Sequence, residues 1–516
     1  MVADGYGQTL MDQKMTRAAP VGEFGLLAFD DRGQETRLDR SGSLRGRILK
    51  YVLARFGGAQ ERGSNWLHRT SLRRPVDAAR MALSMAAAVA RAVWVGIDPE
   101  GFFRRHSSDT KPFLRRFPGL GEVLFVSTVD GARDILTAPG TLCRAPLPNP
   151  IEPLVGQNSL ILLSGEPHRR TRSILMPAFH GERMRGYVDL IADATNDEIV
   201  ALRPGDQLAV RDAAQAITLD VVIRVVFGVT DRARRAEYAG VIRELMRSGT
   251  APLMLVPWLR REIAGRGPWA RLVGFRAQLD GLLSEQIEKR RGIGAHGTDV
   301  MDLILSATDE DGNRLGDDAL RDQLRTMLAA GHETSSTSLA WALYHIHRDE
   351  SIRSRAAKEL AAAATPGEIA ALPYLGAVIQ ETLRMHPPVP IALRRLTGPL
   401  TVAGVPRSGG DVVGIALPAL HFNPDVWKDP DAFNPDRFLE RKPSPFEYAP
   451  FGGGYRRCIG AAFAQHELAV AIGTIMNTVE LRMPASERRR KPPRAVLRAI
   501  ATKPNREILL DVIAWR

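Results

Sequence analysis

The stretch Phe451-Gly452-Gly453-Gly454-Tyr455-Arg456-Arg457-Cys458-Ile459-Gly460 decides how this chain is read, and it turns on one cysteine. Cys458 is one of only two cysteines in 516 residues, the other being Cys143, so no disulfide framework claims it. Glycines around it let backbone approach a flat ligand closely. Arg456 lies two residues before it, and a run with helical character, Ala461 to Thr474, begins just after. Helix-start amides and neighbouring positive charge stabilise a thiolate, so the sequence predicts a lowered thiol pKa. The plain alternative is a turn holding a buried cysteine as a small hydrophobe. The spacing Phe451…Gly454-x-Arg456-x-Cys458-x-Gly460 is too restrictive for that to be preferred.

A thiolate presented in this way is what a haem iron needs to cleave an O–O bond rather than merely carry O2. The loop resembles the haem-binding loop of the cytochrome P450 monooxygenases. The resemblance implies that Cys458 is the axial ligand of iron, that Phe451 packs by the sulfur, and that Arg456 meets a haem propionate. Gly452 and Gly460 belong to the same cofactor-binding loop.

Three further stretches resemble the family, in its chain order. Ala330-Gly331-His332-Glu333-Thr334-Ser335 lies inside a long helical pattern, with Ala330 and Thr334, and Gly331 and Ser335, four apart on shared faces. By itself this is an ordinary packed helix with small residues. In the family the acid–alcohol pair, here Glu333 and Thr334, sits on a locally opened helix and delivers protons for O–O cleavage, while Gly331 leaves room for O2. Glu381-Thr382-Leu383-Arg384 brings Glu381 and Arg384 together at i, i+3. The resemblance joins that pair to Arg437 of Asn434-Pro435-Asp436-Arg437-Phe438 in a buried structural network. His168 and Arg172 lie four apart, and the resemblance places both at the propionates. It adds Arg394 there, although the adjacent Arg395 is not separated from it by sequence.

The bulk numbers agree with an ordinary globular protein, 44% apolar and 25% charged. Two distant cysteines favour a reducing compartment, and Cys143 reads as a packing residue. A net charge of +12 invites a nucleic-acid reading. That reading fails on motifs, since no zinc-finger spacing and no RNP-type aromatic run occurs and the basic residues are spread out. The densest cluster, Arg488-Arg489-Arg490-Lys491, suits equally a solvated surface and a dock for an acidic electron-transfer partner.

Residues 1–70 are rich in Gly, Arg, Asp and Ser without a sustained period, and read as a partly disordered extension with one short helix at Leu44–Phe56. Met11 and Met15 are alternative starts within it. Residues 71–516 form the expected catalytic domain. The apolar run Met81–Ala90, broken by Arg91, is too short to span a membrane. With Trp94 and its arginines it suits either an interfacial helix or one packed on the protein body. Further on, Val123–Val126 and Leu208–Val210 read as strands, and Asp212–Val229, Leu272–Arg291 and Asp317–His347 as helices. Asn423–Phe438 reads as a meandering loop. No βαβ alternation supports a nucleotide-binding sheet.

The expected fold is therefore mainly α, cytochrome P450-like, with a small β-rich lobe. Haem b (iron protoporphyrin IX) would lie between the Asp317–His347 helix and the Cys458 loop. The implied enzyme is a monooxygenase inserting one O atom from O2 into a lipophilic small molecule, by hydroxylation or epoxidation. No flavin region is fused to the chain, so the resemblance implies a ferredoxin with ferredoxin reductase, or a flavodoxin, as electron donor. The chain is expected to be a cytoplasmic monomer of the bacterial, soluble type with at most peripheral membrane contact. Rival readings are a peroxide-driven haem-thiolate enzyme and a non-catalytic haem sensor or electron carrier. Expected pocket segments are Pro148–Leu163, Ser248–Trp258, the face around Leu324–Leu328, and Ile391–Leu393.

Overall fold

The helix Asp317–Arg348 buries side chains on every face, which marks a core element rather than an amphipathic surface helix. Leu320, Leu324, Leu328, Leu339, Leu343 and Ile346 are essentially inaccessible. Burial of one such side chain stabilises by about 1.5–3 kcal/mol. Around this central helix pack Val210–Val221, Ala461–Thr478, Pro373–Met385 and the strand Ala501–Pro504. Its exposed start carries Asp317 and Asp318 in the first turn, where acidic groups complement the helix dipole. Asp317 also pairs with Arg291 at 2.6 Å.

The computed structural model describes residues 28–29, 35–36 and 98–516, except 118–119, 182, 251–252, 255–258, 263–264, 295–298 and 499–500. The chain divides into two compact units, Met1–Ala86 and Ala87–Arg516. Of the first, a two-residue antiparallel ladder is described, Ala28–Phe29 against Glu35–Thr36. The sequence readings at Met11, Met15, Leu44–Phe56, Met81–Ala90 and Trp94 fall outside the described residues.

The second unit is mainly helical with small sheets. The largest sheet has five strands in the order Phe113–Phe117, Gly121–Val126, Val412–Ala416, Ile391–Leu396, Cys143–Arg144. Val412–Ala416 runs parallel to Gly121–Val126 and antiparallel to Ile391–Leu396, and is buried along its whole length. Covered on both faces, it reads as a continuous apolar run. This sheet matters for function because Arg394 and Cys143 both sit in it.

Several expected boundaries shift. The helix expected over Asp212–Val229 runs from Val210 to Val221 and then widens into a π turn at Val222–Val226. There the Phe227 N–H donates to the Val222 carbonyl, and Gly228 leaves at φ +62°. The β-branched run Val221-Val222-Ile223 crowds the regular helix at this point. The strand near residue 208 is Gln207–Ala209, and Val210 opens the helix instead. The helix after the cysteine loop extends to Thr478. Leu272–Arg291 lies within Pro268–Ile293, whose Pro268 suits a first helical position. Arg437 and Phe438, expected in a loop, open the short helix Arg437–Glu440. No helix among the described residues is long and apolar enough to cross a membrane.

Candidate active site

The cysteine loop is held by its own backbone. The Cys458 N–H donates to the Phe451 carbonyl at 2.9 Å. Gly452 and Gly454 turn through φ +64° and +61°, conformations in which a side chain is strained. At Gly454 a Cβ would also stand 2.0 Å from the Leu136 carbonyl oxygen, so nothing larger fits. Gly460 caps the helix Ala461–Thr478. Phe451 packs partly buried against the main core. Cys458 is accessible, yet burial dominates its titration, so its sulfur faces an internal space and not bulk water.

The expected lowering of the Cys458 pKa is corrected. Burial pushes the thiol up, and the Gly460 N–H, Arg172 and Arg457 only partly oppose it. A sequence shows the helix start and the cations but not how far the sulfur lies from water. Coordination to a metal cation deprotonates such a thiol outright.

Above this loop four cationic or ionisable side chains converge. His168, on the helix Gly165–Leu175, is buried with its ring edge-on to Tyr455 at 5.6 Å. Burial, then Arg456, Arg172 and Arg394, hold its pKa down to about 4, so the imidazole is neutral and keeps one N–H to donate. Arg394 is 8% exposed and lies over the Tyr455 ring, as does Arg456. Arg395 points elsewhere, to the Gly410 and Leu147 carbonyls. Strand alternation accounts for the difference, since neighbours face opposite sides. Tyr455, which sequence reasoning passed over, is the hub of the cluster, and its hydroxyl donates to the Cys143 carbonyl at 2.8 Å.

Among the described residues, no carboxylate pairs with Arg172, Arg394 or Arg456. Arg456 is satisfied by carbonyls, including that of Ile161 at 3.1 Å, and by the Ser164 hydroxyl at 2.9 Å. The Nε atoms of Arg394 and Arg456 are buried without a partner. Clustered arginines lacking acidic partners, with orphaned donors, call for an anion.

The central helix supplies the opposite wall. Ala330, Gly331, Glu333 and Thr334 lie on continuous helix, so the local opening that the resemblance implies is absent. The Thr334 hydroxyl instead donates back to the Ala330 carbonyl, within its own helix. A Cβ on Gly331 would meet only Val222 of the π turn, at 3.8 Å. Glu333 is buried, and burial raises its pKa against the pull of Arg498 and Lys503. Glu333 and Ala329 line a cavity together with Ile151 and Leu154, with Leu245 and Met246 of the helix Arg232–Ser248, and with Met254 and Arg498. Two of the expected pocket segments thus contribute, at Ile151, Leu154 and Met254. Ile391–Leu393 does not line this cavity, and Arg498 was not expected there.

Behind the loop lies a buried ionic network. Arg384 donates to Glu381 through Nε at 2.6 Å and through a terminal nitrogen at 2.8 Å, and both side chains are 0% exposed. Arg437 reaches the same carboxylate at 3.1 Å, as does the Asn434 N–H at 2.8 Å. Arg384 also donates to the His421 carbonyl at 2.8 Å. His421, which no sequence motif singles out, carries the network forward. Its Nε2 accepts the Ala449 N–H at 3.1 Å, so its Nδ1–H donates to the Arg384 carbonyl at 3.1 Å. Ala449 stands two residues before Phe451.

The central helix and the post-cysteine helix are also tied by Ser335, whose hydroxyl donates to Glu467 at 2.5 Å. Burial pushes Glu467 up to about 8. Its folded value exceeds its ordinary 4.5, so the folded protein holds a proton that the unfolded chain releases. The contribution of Glu467 to stability therefore falls as pH rises from about 4.5 to about 8, and is flat outside that window. Glu467→Gln is expected to remove that slope and to gain a few kcal/mol relative to wild type at pH 8.5, of the order set by ~1.4 kcal/mol per pH unit. Urea unfolding at pH 5 and pH 8.5 measures it, and an unchanged slope in the variant would assign the effect elsewhere.

A thiol on a glycine-built loop, arginines without carboxylate partners and a small-residue helix face could together hold a haem-thiolate centre. The comparisons with known proteins agree. The cytochrome P450 family model matches residues 89–510. Cytochrome P450 138 of Mycobacterium tuberculosis (strain ATCC 25618 / H37Rv) is 33% identical over 398 residues, 75% of this chain and 86% of that protein. The cytochrome P450DA haem domain has a similar structure, with TM-score 0.69 and 25% identity over 80% of this chain and 91% of that one. Retinoic acid-bound cyanobacterial CYP120A1 shares the fold, with TM-score 0.69, 24% identity, and 78% and 92% covered. The chain belongs to the cytochrome P450 family. It is a monooxygenase, and its cofactor is haem b.

Proposed function

We propose that this enzyme hydroxylates or epoxidises a lipophilic small molecule with one atom of O2, drawing electrons from a separate redox protein. The observation that carries the reading is the cavity, whose apolar walls reach the central helix at Ala329 and Glu333, one residue from Thr334. Haem b, when bound, supplies the iron at which O2 is activated, with thiolate donation favouring O–O cleavage. Cys458 would hold the iron, and His168, Arg172, Arg394 and Arg456 would hold the propionates. Phe451, Gly452 and Gly460 shape the loop beneath. Thr334 holds a hydroxyl at the helix face, and Glu333, its pKa raised by burial, is the acid next to it in the chain. Gly331 and Ala330 keep that face open.

The electron donor is proposed to be a ferredoxin with its reductase, or a flavodoxin. The enzyme is taken as a cytoplasmic monomer, at most peripherally attached to membrane, with residues 1–70 an extension of the catalytic domain 71–516. Glu333 and Thr334 favour O2 over peroxide as oxidant, because proton supply at this position serves O2 reduction. Turnover is therefore expected with O2 and an electron-donor protein, and Thr334→Ala is expected to lower it by about 100-fold. Equal turnover of the variant, or faster wild-type turnover with peroxide alone, would replace this reading with the peroxide-driven one.

A further inference from the structure

The strand Ala495–Arg498 pairs with Ala501–Pro504 as a hairpin that packs beside the central helix. Its last residue, Arg498, lines the cavity described above. Among the described lining residues Arg498 is the one cation and Glu333 the one carboxyl group, and the others are apolar or glycine. Arg498 is partly buried, and no hydrogen bond or ion pair engages its guanidinium among the described residues.

An arginine facing an apolar cavity is costly to desolvate unless a counter-charge arrives. Glu333 is near enough to feel its charge, but the two do not form an ion pair. Burial raises the Glu333 pKa, which weakens it as a counter-charge, and no ion pair joins it to the guanidinium among the described residues. Lys503, on the paired strand, is buried enough to have its pKa lowered and feels Arg498 and Arg211, then Glu333 and Asp212; it is not among the residues lining the cavity. Among the described lining residues the one cation is thus a planar guanidinium with no ion-pair partner.

We propose that Arg498 anchors the carboxylate of an amphiphilic substrate, with the hydrocarbon part against Ile151, Leu154, Leu245 and Met254. A guanidinium grips a carboxylate through two parallel N–H bonds and offers a neutral ester or alcohol much less. A phosphate monoester carries nearly two charges, whereas the described lining residues offer it the single cation Arg498. The substrate class is thereby narrowed from lipophilic molecules in general to lipophilic monocarboxylates, and the inference rests on the monooxygenase reading above.

The test uses haem-loaded full-length enzyme, with dodecanoic acid, methyl dodecanoate and dodecan-1-ol as probes. Binding is followed by calorimetry and by the spin-state shift of the ferric enzyme. Wild type is expected to bind the acid at least about 10-fold more tightly than the ester, or ~1.4 kcal/mol. Arg498→Leu removes that preference by weakening the acid and leaving the ester unchanged, and Arg498→Lys restores part of it. Equal affinity for acid and ester, failure of the acid to bind, or a preference surviving in Arg498→Leu overturns the assignment. The reduced CO complex of each preparation separates the two levels. With the thiolate signature present, a missing preference overturns the Arg498 proposal alone; a missing signature overturns the haem-thiolate reading beneath it.

Discussion

Cys458→Ser is expected to abolish the thiolate signature of the reduced CO complex and, with it, O2-dependent turnover. The sulfur is the protein's one soft, polarisable donor to iron at this position, and a serine hydroxyl is too weakly acidic to replace it. The loop itself should survive. Its shape rests on the Cys458 N–H to Phe451 bond and on Gly454 against the Leu136 carbonyl, neither of which involves the thiol. The Arg456 contacts to the Ile161 carbonyl and the Ser164 hydroxyl are likewise untouched. Since the thiol is held neutral by burial in the polypeptide, removing it leaves no orphaned charge. The apoprotein's unfolding free energy should move by less than about 1 kcal/mol. A variant that keeps the thiolate spectrum would remove Cys458 as ligand; one that unfolds would show the thiol to be structural.

Much of this site was legible because it is written in local spacing. The cysteine loop, the Glu381–Arg384 pair and the Ala330–Thr334 face each lie within ten consecutive residues, where backbone geometry fixes who meets whom. What the sequence concealed depends on long-range placement. Tyr455 became the hub of the cation cluster only because residues near 143, 168 and 394 fold around it. Arg394 and Arg395 parted once strand pairing gave each a side of the sheet. Arg498 came into the cavity from a hairpin whose partner strand crosses beside the central helix. The Cys458 thiol ran against expectation for the same reason. Nearby cations are visible in sequence, whereas depth from water is a property of the whole fold.

Arg384→Leu is expected to destabilise the protein by about 3–5 kcal/mol and to lower its haem content sharply. The size follows from what remains behind. Glu381 is 0% exposed, and without Arg384 it keeps Arg437 at 3.1 Å and the Asn434 N–H as its supports. The carbonyls of His421 and Pro430 lose their donor as well. Removing the carboxylate together with the arginine, in Glu381→Leu/Arg384→Leu, should cost less than the two single changes summed, because neither charge is then stranded. The loss of haem has a route through His421, which links the Arg384 carbonyl to the Ala449 N–H just ahead of Phe451. His421 is neutral, its pKa carried down to about 3 by burial and then by Arg384, so it transmits position and not charge. His421→Phe should therefore lower the haem-to-protein ratio with a smaller stability loss than Arg384→Leu. Urea unfolding and haem quantitation on the same preparations decide the matter. Full haem occupancy in Arg384→Leu, or strict additivity in the double variant, would detach this network from the loop it is argued to hold.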